Sequence, residues 1–168
     1  MIYIEAVLMG SFATFYMDIF ANILAAKKVI HPFVSTESMG RWFLYIFKGK
    51  FFHDDIDQSP KLKNEKLWCM LSHYLIGIML AGVFLIVEKY MQFVSDNSWT
   101  SLVFGIGTVC FPWFWLLPSI GKGVMASKCE NRLQILVTNL INHTNYGIGL
   151  MLWIVLVHRF FISGILMD

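Results

Sequence analysis

The sequence predicts an all-α integral membrane protein, a four-helix bundle with an interfacial helix in its first cytoplasmic loop. Three observations carry that prediction. Segments 2–26, 67–88, 101–119 and 133–157 are mostly apolar, and each is near the length of about 20 residues that a helix needs to cross a bilayer. The 168 residues are 57% hydrophobic and 14% charged, with a mean hydropathy of +0.63, whereas soluble domains carry about 25% charged residues. The basic residues gather in two of the three connections. A soluble fold of this length has no interior large enough to hide so much apolar surface. The net charge of +2 is too small for a nucleic-acid binder. The expected partner is the lipid bilayer, with a homo-oligomer or a partner membrane subunit left open. The chain is expected to form one transmembrane domain, 1–168.

The first span begins MIYIEAVLMGSFATFYMDIF. It lacks the basic start and small-residue cleavage site of a secretory signal, and it carries Glu5, so it is expected to be retained. The connection 27–66 holds Lys27, Lys28, Arg41, Lys48, Lys50, Lys61, Lys63 and Lys66. Within it, Gly40–Phe47 is too short and too flanked by charge to span. An amphipathic or partly re-entrant stretch at the interface is expected there. The following His53-Asp54-Asp55-Ile56-Asp57 has no EF-hand pattern and is expected to be a solvated turn. Trp68 opens the second span and Tyr90 closes it, while Trp99 opens the third, as an aromatic belt requires. Pro112 and Pro118 within the third span free backbone carbonyls and break or kink the helix. The connection 120–132 adds Lys122, Lys128 and Arg132, and only Lys89 and Arg159 fall on the other side. The positive-inside rule then puts both basic connections in the cytoplasm and both termini outside. Gly121-Lys122-Gly123 lacks P-loop spacing and is taken as part of an ordinary basic loop, ahead of the alternative of a lipid phosphate resting on Lys122. Cys69, Cys110 and Cys129 form no CxxC and no even framework, so structural disulfides are not expected.

Three ionisable residues, Asp18, His73 and His143, lie inside the apolar spans. Such groups are costly in hydrocarbon and mark functional sites or paired structural ones. Counting residues from Lys27, Lys66 and Arg132 puts all three roughly 10–16 Å from the cytoplasmic edge at 1.5 Å per residue. They also lie on polar, small-residue stripes at i, i+4 spacing: Gly10, Thr14, Asp18, Asn22; Cys69, His73, Gly77, Ala81; Asn139, His143, Gly147. Small residues on such stripes let helices approach closely. His73-Tyr74-Leu75-Ile76-Gly77-Ile78 and His143-Thr144-Asn145-Tyr146-Gly147-Ile148 share an HxxxGI pattern, the mark of a conceivable parallel repeat.

Several readings of this constellation are open. Asp18 is a structural carboxylate paired with a histidine or with Arg41, and the histidines are neutral interhelical hydrogen-bonders. Alternatively, Cys69, His73 and His143 ligate a metal or haem. In the leading reading, Asp18, Arg41, His73, His143 and Asn139 form a cytoplasm-facing site for a small ligand, ion or proton. Asp18 would be the charge partner, the histidines donors or proton carriers, and Arg41 the closure of the mouth. That protein would act in transport or as an accessory subunit. The alternatives are an intramembrane metal- or haem-dependent enzyme or redox protein, and a structural subunit of a membrane complex.

Several motifs carry a resemblance. They are Gly40-Arg41-Trp42, Gly49-x-x-x-His53, Glu65 and His73-Tyr74-x-x-Gly77-Ile78 in the first half. In the second half they are Gly105-x-Gly107-Thr108-x-x-x-Pro112, Pro118-x-x-Gly121-x-Gly123-x-x-Ala126-Ser127 and His143-x-x-x-Gly147-x-Gly149-Leu150. Together, and with Asp18, these resemble a bacterial domain-of-unknown-function family of small multi-pass membrane proteins. The resemblance implies four spans, a bacterial inner-membrane location and no particular activity. It singles out Asp18, Arg41, His53, His73 and His143. The chain departs from the pattern at Trp113 and Trp115 and around Cys129-Glu130-Asn131.

Overall fold

A computed structural model describes residues 2–158, and every regular element among them is helical. Four helices are long and apolar enough to cross a membrane: α1 (Ile2–Ala26), α3 (Glu65–Tyr90), α5 (Trp99–Ser119) and α6 (Arg132–His158). Each matches its sequence-predicted span to within about two residues, because the apolar run ends there. Between them lie α2 (Thr36–Ile46) and the five-residue α4 (Gln92–Asp96). Large apolar residues such as Phe15, Leu75, Met79, Ile86, Phe111 and Leu156 stay exposed on the span helices. Helices apolar on their outward faces need a solvent of hydrocarbon. The protein is a multi-pass membrane protein of four spans. Arg159, one of the two basic residues expected on the outer side, lies outside the described residues.

The chain divides into two compact units. Among the described residues the first takes 2–22, 74–108 and 141–158. Its core is Ala6, Met9, Ala13, Ala81, Phe84, Leu85, Tyr146, Leu150 and Trp153. The buried positions of α1, Glu5, Ala6, Met9, Gly10, Ala13 and Thr14, fall at the three- and four-residue spacing of one helix face. Helix contacts here are set by small residues. Gly105 of α5 and Gly147 of α6 meet backbone to backbone, and a Cβ on Gly147 would lie 2.8 Å from the Leu102 carbonyl oxygen. The stripe residue Gly10 likewise presses on the Gly77–Ile78 backbone of α3, and Tyr146 donates to the Gly77 carbonyl at 2.6 Å.

The second unit takes Ile23–His73 and Val109–Leu140 around a core of Trp42, Ile56, Leu117, Ile120, Ala126 and Ile135. Helix α2 is the amphipathic segment expected from Gly40–Phe47, begun four residues earlier. Ser35 caps it by accepting from Ser38 N–H at 3.1 Å. At Pro112, which has no N–H to give, α5 widens into a π-helical turn, Pro112–Leu116, closed by Leu117 N–H donating to the Pro112 carbonyl. The proline kink is thus absorbed as a π-bulge.

The segment 53–57 is not the solvated turn its composition predicts. His53 and Ile56 are buried. Their amides donate to the Ser119 and Ile120 carbonyls at 2.8 and 3.2 Å, so the two basic connections are laced together. Backbone pairing removes the cost of burying those amides. Gly121 makes the contact: it has φ +92°, and a Cβ there would overlap the Asp54 backbone. All three cysteines are free.

Candidate functional site

Two buried polar constellations stand out, one in each unit. In the second unit Arg41, from α2, is almost wholly buried. Its guanidinium makes a two-pronged pair with Glu65, Nε to Oε1 at 2.7 Å and Nη2 to Oε2 at 3.1 Å. The remaining Nη1 donates to the carbonyls of Ile56, Asp57 and Ser59 at 3.0–3.2 Å. Glu65 also accepts from Leu62 N–H at 2.7 Å, and Ser38 bonds to Asp57. The planar fork of arginine matches both a carboxylate and a fan of carbonyls. The Glu65 hydrogen bond raises the Arg41 pKa further above its already high value. With its donors spent inside the unit, Arg41 fixes the loop 56–59 against α2 and α3.

His53 belongs to the same unit. Its Nδ1 is 2.9 Å from Ser59 Oγ, and its ring meets Tyr45 edge-on at 5.0 Å. Burial, with a further push from Lys50, lowers its pKa below the ordinary 6.5. The folded protein therefore keeps His53 neutral where the unfolded chain takes up a proton. Stability from this group is complete above about pH 6.5 and is lost as pH falls from there toward the folded value. Thermal unfolding in detergent is expected to show the midpoint dropping between pH 7.5 and 5.5, with a smaller drop in His53→Gln. An equal drop in both would remove His53 as the cause.

In the first unit, three span ends bring together Glu5 of α1, Glu88 of α3 and His158 of α6. The imidazole bridges the carboxylates: Nδ1 lies 2.5 Å from Glu5 Oε1, and Nε2 lies 3.4 Å from Glu88 Oε2. Trp153 Nε1 donates to the same Glu5 oxygen at 3.3 Å. Glu5 and Glu88 are 5% and 8% exposed, so neither relies on solvent. Among the described groups one imidazole faces two carboxylates. It can neutralise only one of them, and the other needs a proton or a cation to be uncharged.

The residues expected from the sequence are distributed as follows. Asp18 and His143 belong to the first unit, and Cys69, His73, Arg41 and Asn139 to the second. Asp18 hydrogen-bonds the phenol of Tyr74 and its carbonyl accepts from Asn22 at 2.8 Å. His143 Nδ1 is 2.7 Å from Thr108 Oγ1, whose single proton goes to the Gly105 carbonyl at 2.6 Å. The histidine therefore carries its proton on Nδ1 in this pair. Buried Asn139 donates to the Ile135 carbonyl of its own helix at 2.9 Å. Thr14 Oγ1, Asn142 Oδ1 and Asn145 Nδ2, also in the first unit, are buried without a protein partner. Among the described residues no group of three or more histidine, cysteine, aspartate or glutamate side chains is placed to hold a metal.

Sequence reasoning missed Glu5, Glu88 and His158 because each sits near a span end, where a charge ordinarily meets water. The available signal was their register: a carboxylate or histidine at the same end of each of three spans. A family profile described as a protein of unknown function (DUF2938) matches residues 7–157. No curated protein and no solved structure gives a significant match.

Proposed function

The chain belongs to the DUF2938 family, and from that premise we propose that it is a multi-pass membrane protein that binds and releases protons at Glu5, His158 and Glu88. The observation that carries this reading is the buried imidazole held between two buried carboxylates on three different helices. Such Asp/Glu/His chains are the usual proton carriers of membrane proteins. A tight coupled cluster of this kind takes up its protons in macroscopic steps that belong to the whole group. The hydrogen-bonded pairs Asp18 with Tyr74, and His143 with Thr108, lie in the same unit. The protein would serve ion transport or be the proton-handling subunit of a larger assembly.

The location that goes with this reading is the bacterial inner membrane, with both termini periplasmic. Its support is the excess of lysine and arginine in connections 27–66 and 120–132. In that orientation Glu5, Glu88 and His158 lie toward the periplasmic ends of their spans, where protons enter from outside.

Infrared difference spectroscopy of the full chain in lipid, titrated from pH 8 to 5, tests the proposal. A protonated-carboxyl band is expected to grow as pH falls, and Glu88→Gln is expected to remove or shift it while Asp18→Asn keeps it. A band lost in Asp18→Asn but kept in Glu88→Gln would move the proton site to Asp18. No titrating carboxyl band at all would make the cluster a permanent structural pair.

A further inference from the structure

Residues of the two basic connections and the end of α5 line an open cavity of about 370 Å³ within the second unit. Lys50 comes from the first connection and Lys128 from the second, and both line it together with His53 and Asp54. The charge around the cavity is therefore two ammonium groups against one carboxylate. Lys50 is held over the Tyr45 ring, 5.7 Å from its centroid, which limits its freedom to swing away. His53 is 6% exposed, and its Nε2 is buried with no hydrogen-bond partner. An unsatisfied buried ring nitrogen, on a residue that lines a cavity with two lysines, is an uncommon and costly arrangement.

The rim of the cavity is apolar. Phe52 and Val124 line it and are exposed. The Phe52 ring packs on exposed Trp115, with centroids 6.0 Å apart. Aromatic residues beside lysines are the composition of a membrane–water boundary, where an amphiphile places a charged head over an apolar body. Gly123, at φ +74°, turns the chain along the cavity wall.

We propose that this cavity binds a phosphate-bearing anion, with Lys50 and Lys128 as its charge partners. Lysine suits this role as a compact point charge. The phosphate group is common to two sources, the headgroup of an anionic phospholipid and free phosphate. A bound anion would also offset the Lys50 charge beside His53.

Full-chain protein in a zwitterionic detergent provides the test. Thermal unfolding is followed with phosphatidylglycerol, with phosphatidylcholine, and with inorganic phosphate. Ligand that binds only the folded state raises the midpoint with its concentration. A rise with phosphatidylglycerol and none with phosphatidylcholine is expected in the wild type. It should be lost in Lys50→Gln/Lys128→Gln and retained in Lys61→Gln/Lys63→Gln, which removes the same charge from elsewhere in the first connection. A rise with inorganic phosphate as well assigns the phosphate group alone as ligand, and a rise with the lipid only assigns the headgroup. If the double variant does not fold, Lys128→Gln alone, at an exposed position, makes the same comparison through a weakened dependence on lipid concentration. No rise with either phosphate source, or the full rise in the lysine variants, would overturn the proposal.

Discussion

Glu65→Ala is expected to destabilise the protein by about 3–5 kcal/mol, the usual cost of leaving one member of a buried ion pair without its partner. Both side chains are nearly sealed, at 4% and 7% exposure. The abandoned guanidinium therefore has no water to turn to. The loss extends beyond the pair, since Glu65 also accepts from Leu62 N–H at the start of α3. The reverse replacement, Arg41→Met, leaves the Glu65 carboxylate with Leu62 N–H in place of its ion partner and removes the side-chain donor from the Asp57 and Ser59 carbonyls, while the Ile56 carbonyl keeps Ser59 N–H. Arg41→Met/Glu65→Leu is expected to recover only part of the loss. An apolar pair can replace the charges, but it cannot satisfy the carbonyls. Unfolding of detergent-solubilised variants, compared as a double-mutant cycle, measures each term. A Glu65→Ala loss below about 1 kcal/mol would mean the pair behaves as a solvent-screened surface bridge.

Gly105→Ala gives the second large effect, and there the sign is the test. Helix propensity alone predicts a gain of about 1 kcal/mol from replacing glycine inside a helix. The packing predicts the opposite. The added Cβ would fall on the Gly147 backbone and lie 3.1 Å from the His143 carbonyl oxygen. Backbone cannot swing aside as a side-chain tip can, so α5 and α6 must part. Overpacking of this kind costs about 1–3 kcal/mol. At about 2–4 °C per kcal/mol for a chain of this size, the midpoint should fall by several degrees. The 2.7 Å contact between Thr108 and His143 should weaken with it, visible as a changed histidine ring signal in nitrogen NMR. A raised midpoint would show that the two helices do not meet at these glycines.

Much of the fold was legible because membrane helices announce themselves in composition. The four spans, the amphipathic α2 and the basic connections follow from hydropathy and charge, which act locally. The small-residue stripes were legible for the same reason. Gly10, Gly77 and Gly147 each pack against a neighbouring helix at the spacing the sequence shows. The proline pair was correctly taken as a disturbance of α5, though the resolution of that disturbance as a π-turn depends on the partner carbonyls around it.

The polar architecture was less legible. The acidic segment 53–57 has the composition of a solvated turn, yet its amides pair with Ser119 and Ile120, more than sixty residues away in sequence. Arg41 carries the signature of an interfacial charge. Only the return of the chain at Glu65 turns it into a buried hub. Glu5, Glu88 and His158 resemble ordinary helix-end charges until three span ends are brought into one layer. Sequence by itself determined which segments leave water, because transfer free energy is a property of each residue in turn. Tertiary structure alone decided which polar groups share a partner. A hydrogen bond or ion pair depends on ångström-scale distances between segments that no local pattern encodes.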